Sequence, residues 1–206
     1  MVRSEVCCRR VASQFAARNP DPLVVVDDER PIAFALATGS GVIVASSGLL
    51  RPLSGPQRAA VLAHERAHLA AHHQRFRAVA RFAAALEPLL TGAPRVVEAA
   101  TEQWADEEAA RLLGDRLGVA ETIPAVATMA RTHCGAPSPM VTLLHRCGAL
   151  AFAPTDVHDR IAALLQPPAR RRWQEVVPHA LLVAVATGAT LDATHQLGRL
   201  IHAALR

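Results

Sequence analysis

Lysine and tyrosine are both missing from the 206 residues, and aromatic side chains make up only 3% of them. All 22 basic residues are therefore arginines, which in an alanine-rich chain reads as GC-rich bacterial coding bias, not as adaptation to a ligand. The missing tyrosine excludes phenolic catalysis, so any donor to a developing oxyanion has to be a histidine, an arginine or a backbone N–H. The net charge of +4 would permit nucleic-acid binding, but the arginines are scattered and hardly interleaved with aromatics, so nucleic acid is not the expected partner. Cys7, Cys8, Cys134 and Cys147 form no CxxC pair and no zinc-knuckle spacing, and neighbours such as Cys7 and Cys8 do not readily bridge each other. A reduced, cytosol-facing chain is expected, not a disulfide scaffold. Arg3, Glu5, Arg9 and Arg10 break up any apolar opening run, so no signal peptide is read there. Charged residues are only 19% against 51% hydrophobic, which excludes a disordered tail and leaves material for one core.

The texture changes along the chain. Residues 1–20 read as an amphipathic helical lead-in, ended by Asn19-Pro20 and Asp21-Pro22. Three short apolar runs follow, at 23–26, 32–37 and 42–45, separated by charged and Gly/Ser-rich turns, as in a small three-stranded sheet. Ser54 is an N-cap candidate with Pro56 in the first turn, and a long helical pattern, with room for a break, runs from there to Pro88. Pro94 starts a second helix reaching Gly114, and shorter helical stretches fall near 119–132, 139–148 and 156–165. Strands gathered ahead of helices predict an α+β domain over 21–166. Gln166-Pro167-Pro168 opens a C-terminal segment, 167–206, with Arg170, Arg171 and Arg172 ahead of the apolar stretch 180–191.

Within the long helix stands His64-Glu65-Arg66-Ala67-His68, an HExxH motif. Positions i and i+4 share a helical face, so both imidazoles can address one Zn²⁺ while Glu65 reaches the water beside it as general base. In a chain with 10 histidines, chance supplies this pattern only about 0.02 times. A catalytic zinc needs a third protein ligand. The metzincin arrangement fails, because position 74 is Gln and position 71 is Ala. Further on, Glu102 and Asp106 stand at i and i+4 on the second helix, so that one can bind metal while the other accepts a ligand imidazole's free N–H. A competing register uses Glu98 and Glu102, with Glu98 as ligand. His72 and His73 continue the first helix and read as surface or supporting histidines, since a metal held by 64 and 68 does not reach another turn along.

Phe34-Ala35-Leu36-Ala37, then Val42-Ile43-Val44-Ala45-Ser46-Ser47-Gly48-Leu49-Leu50, then Ala60-Val61-Leu62-Ala63 leading into the HExxH, then Glu102-Gln103-Trp104-Ala105-Asp106, together resemble a gluzincin of the HtpX-like and BlaR/MecR-like membrane zinc metallopeptidases, most closely the actinobacterial BlaR/MecR-like branch. The resemblance spans residues 30–165. It implies a zincin-like (minigluzincin) fold and one zinc per chain on His64, His68 and Glu102. It also implies Glu65 as base, Asp106 as orienter of a ligand histidine, and a peptide substrate lying along the strand that ends at Ala45 and Ser46. The sequence departs from such proteins in having no membrane-spanning run ahead of residue 30 and no sensor domain after the peptidase. Their His-Pro pair six residues before an arginine is also absent, since Pro154 holds that distance from Arg160.

The function expected is a zinc-dependent metalloendopeptidase acting on a protein substrate in membrane-linked regulatory proteolysis. The alternative is a catalytically silent, zinc-stabilised binding module. His158 and Arg160 are the candidate oxyanion donors, against a reading in which that helix only packs and Arg160 makes a structural ion pair. Twelve uncharged, mostly apolar residues at 180–191 fall short of the roughly 20 that span a bilayer, so a buried or interfacial helix competes with a true span. Membrane attachment there would hold the peptidase domain on the cytoplasmic side, beside the three arginines. A soluble cytoplasmic protein is the other reading.

Overall fold

The computed structural model describes residues 23–36, 41–132 and 157–167, together with Thr194, His195 and Arg199. Contacts divide the chain into two units, 1–167 and 168–206. The expected lead-in helix at 1–20, the helix at 139–148 and the apolar stretch at 180–191 lie outside the described residues. The first unit is α+β. Strands β1 (Leu23–Val26), β2 (Ala33–Leu36) and β3 (Val42–Ser46) precede the helices α1 (Ser47–Leu50), α2 (Gly55–Ala70), α3 (His73–Leu86), α4 (Ala93–Leu113), α5 (Arg116–Thr132) and α6 (Val157–Leu165). No helix among the described residues is long and apolar enough to cross a membrane.

The sheet order is β1-β3-β2, with β1 parallel and β2 antiparallel to β3. The last strand in sequence is thus the middle one in space. Val24, Phe34, Leu36, Val42 and Val44 pack together on one face, while Ala33 on the other joins Leu49, Leu53, Val61 and Val126 beneath the helices. Ser46 ends β3 and caps α1. Its hydroxyl accepts from the N–H groups of Leu49 (3.1 Å) and Ile32 (3.0 Å) and donates to the Arg30 carbonyl (2.5 Å). Gly48 follows because the chain passes so close that a Cβ there would meet the Glu29 carbonyl oxygen at 1.9 Å.

Ser54 and Gln57 form a capping box that starts α2, and Gly114 in the left-handed region (φ 67°) stops α4. The long helical pattern breaks at His72, also left-handed (φ 52°), which separates α2 from α3. Alanines make the helix contacts. Ala60 and Ala63 of α2 meet Ala109 and Ala110 of α4, with Val119, Ala120 and Ile123 of α5 and Leu164 of α6 around them. Side chains this small let the axes of α2 and α4 approach, so that short His, Glu and Asp side chains can meet between them. Arg116 fixes α6 in place. It pairs with Glu107 of α4 and donates to the carbonyls of Ala163 (3.2 Å), Leu164 (3.0 Å) and Gln166 (2.9 Å) at the end of α6.

Candidate metal centre

Two helices face each other across the centre. α2 turns His64 and His68 to one side, and Nε2 of the two rings lie 3.0 Å apart. Opposite them on α4, Glu102 places Oε2 3.5 Å from His64 Nε2 and Oε1 3.4 Å from His68 Nε2. Ligands held about 2.0–2.1 Å from a tetrahedral zinc stand about 3.3–3.4 Å from one another. The imidazole nitrogens, 3.0 Å apart and each 3.4–3.5 Å from a different oxygen of the Glu102 carboxylate, stand close to that edge length. Among the described residues these three form the group able to hold a metal ion, and all three are buried. Glu65 lies beside them, 2% exposed, its Oε2 buried without a hydrogen-bond partner among the described residues. A buried carboxylate oxygen left over next to three convergent donors fits a metal site with a water position.

A family model described as Peptidase family M48 matches residues 4–133, which include the whole ligand set. The chain belongs to peptidase family M48. That family consists of zinc metallopeptidases, and the donor set His64, His68 and Glu102 suits its metal. No curated protein and no solved structure matches the chain.

In this M48 centre each ligand is held from behind. His64 Nδ1 lies 2.8 Å from Asp106 Oδ1, and His68 Nδ1 lies 2.7 Å from His73 Nδ1. Asp106 is in turn gripped by Arg160 of α6 through two bonds of 2.7 Å, and Arg160 Nη1 stands 3.1 Å from Glu102 Oε2. Burial alone would lower the His64 pKa, but the carboxylates of Asp106 and Glu102 outweigh it and raise it to about 10. Burial carries His68 down to about 4, with only Glu102 pulling upward by hydrogen bond. Glu65 is pushed up to about 7, first by burial, with Glu102 adding to it and His64 and the arginines opposing. Burial would raise Glu102 too, yet its bonds to His64 and His68 take it well below the ordinary range, and Arg160 with His64 likewise keeps Asp106 low.

Several sequence expectations land elsewhere. Glu98, the competing ligand, stands away from the imidazoles, 3.5 Å from Arg77 Nη1. Ala45 and Ser46 are not a substrate edge. β3 is the central strand, its backbone groups are taken by β1 and β2, and both residues are fully buried. His158 is exposed on α6, two residues and so about 200° around the helix from buried Arg160, and it does not join the centre. Arg160 does join it, as the holder of Asp106 and Glu102. With Nε and Nη2 on Asp106 and Nη1 turned to Glu102, its guanidinium is committed to those carboxylates and not aimed at an oxyanion. His72 is exposed and His73 buried. Arg77 escaped notice altogether, since one arginine among 22 carries no mark. Its one signal is a position four residues after His73, on the same helical face.

Proposed function

We propose that the chain is a zinc metalloendopeptidase of the HtpX-like and BlaR/MecR-like kind, cutting peptide bonds within a protein substrate as part of membrane-linked regulation. The observation that carries this is the convergence of His64, His68 and Glu102 beside a buried Glu65 left with an unused carboxylate oxygen. Bound zinc supplies a Lewis acid that polarises the carbonyl and makes water acidic near neutral pH. Glu65 takes the proton of the attacking water and delivers it to the amine nitrogen as the C–N bond breaks. Asp106 and Arg160 keep His64 and Glu102 in place through that exchange. With tyrosine missing and, among the described residues, His158 outside the centre and Arg160 committed, a backbone N–H is the donor left for the oxyanion. The substrate then lies along an edge strand, and β2 is the edge that packs against α2. Attachment to a membrane with the peptidase on the cytoplasmic side is supported by Arg170 to Arg172 ahead of the apolar 180–191 segment. It is also supported by Phe76, Val79, Phe82 and Leu86, exposed along α3 near Arg75 and Arg81.

One observation favours a second reading. His64, Glu65, His68 and Glu102 are each no more than 6% exposed, as in a closed structural zinc site. The silent, zinc-stabilised module is therefore the competitor. Metal analysis and peptide hydrolysis on the wild type and on Glu65→Ala separate the two. The enzyme reading expects zinc in both and cleavage reduced on the order of a hundredfold to ten-thousandfold in the variant. Zinc in both with equal cleavage, or with none in either, would sink it. Unchanged zinc in Glu102→Ala would sink the ligand assignment.

A further inference from the structure

α3 touches the centre at two points that the HExxH motif does not account for. His73 Nδ1 lies 2.7 Å from His68 Nδ1, and Arg77 Nη2 donates to Glu102 Oε1 at 2.6 Å. Both residues are buried and are spaced i, i+4 on one face of α3. In an unbroken helix neither contact could form. Residue 73 would lie about 140° around the axis from residue 68, and residue 77 about 180°. The break at left-handed His72 re-aims the chain so that the face bearing His73 and Arg77 turns back onto the ligands.

We propose that α3 is a support helix of the metal centre, in which His73 fixes the ring of His68 and Arg77 fixes the carboxylate of Glu102, so that one helical turn positions two of the three ligands. The proposal rests on the zinc reading above. When His68 Nε2 faces a metal its proton sits on Nδ1, which donates to His73 Nδ1, and the tilted Trp104 ring, 4.8 Å from His73 between centroids, backs the acceptor. Arg77 is held just as firmly. Its Nε donates to the Thr101 hydroxyl at 2.9 Å, and that hydroxyl donates to the Glu98 carbonyl at 2.9 Å, so the guanidinium is fixed to α4 at Thr101 as well as at the ligand. Arg77 on Oε1 and Arg160 on Oε2 grip Glu102 from two helices. A buried pair of this kind is poor value for stability compared with apolar packing, whereas it sets the direction of a carboxylate well.

The test measures zinc affinity by chelator competition and the visible spectrum of the Co²⁺ form, on the purified full chain. His73→Leu and Arg77→Met, if they fold, should each weaken zinc binding about 10–100-fold and alter the Co²⁺ spectrum. His73→Asn, which keeps an acceptor, should restore binding to within about threefold of wild type on that same scale. Arg77→Lys keeps the charge but cannot bond Thr101 and Glu102 together, and should remain at least about fivefold weaker. Wild-type affinity and spectrum in folded His73→Leu and Arg77→Met would overturn the proposal. Should those two not fold, wild-type binding in Arg77→Lys, or strong loss in folded His73→Asn, would overturn it. A wild type that holds no zinc removes the zinc reading and this proposal together, whereas zinc in the wild type with indifferent variants removes the proposal alone.

Discussion

The two ligand histidines come from the same helix, four residues apart, yet they are anchored in opposite ways. His64 leans on a carboxylate, Asp106, which is itself clamped by Arg160, while His68 leans on a neutral imidazole, His73. One anchor belongs to a chain of full charges reaching from α2 through α4 to α6. The other is a local pair across a helix break, walled by Trp104. The difference shows in proton affinity, about 10 for His64 against about 4 for His68, although burial lowers both. His64 is held up by the carboxylates of Asp106 and Glu102 together, whereas His68 has only Glu102 and is lowered further by the charge of His64, so identical ligands acquire different basicity from their surroundings.

That asymmetry predicts an order of effects. Asp106→Ala strands Arg160 and strips His64 of its anchor, and should cost about 3–5 kcal/mol, read as a fall in thermal midpoint of roughly 6–20 °C. A fall below about 3 °C would show that the charged side holds nothing together. His73→Leu leaves only the His68 N–H unmet and should cost about 1–3 kcal/mol in urea unfolding. A larger loss there than in Asp106→Ala would invert the comparison. The break at His72 is next. Glycine relieves the left-handed strain and should gain up to about 1 kcal/mol, whereas valine should lose about 1–2 kcal/mol. Equal stability of the two variants would mean that α3 is not held by that turn. Last, His158→Ala should leave zinc content and peptide hydrolysis unchanged. Any loss of either would return that residue to the centre.

What could be read without the structure was what lies within one helix. HExxH and the Glu102/Asp106 pair are i, i+4 relations, set by 3.6 residues per turn wherever the helix ends up. Ser54, Pro94 and Gly114 marked helix limits for the same local reason. Strand order was not local. β3 follows β2 in sequence and still inserts between β1 and β2, so Ala45 and Ser46 became buried centre instead of substrate edge. Between His158 and Arg160 the choice rested on how α6 is rotated about its axis. Arg116, bonded to α6 carbonyls 47 and 48 residues on, and the apolar row Val157, Ile161 and Leu164, packed against α2, α4 and α5, settle that rotation.

Spacing alone therefore determined that two imidazoles and a carboxylate base share one helical face, and that a second helix carries two acids on one face. Only the tertiary structure decided which acid meets the imidazoles, which arginines hold that acid, and that a left-handed histidine brings His73 and Arg77 to the ligands. Helical periodicity is a property of the backbone and travels with any sequence that adopts it. The direction of a buried guanidinium depends on every neighbour that replaces its water, and those neighbours come from four helices.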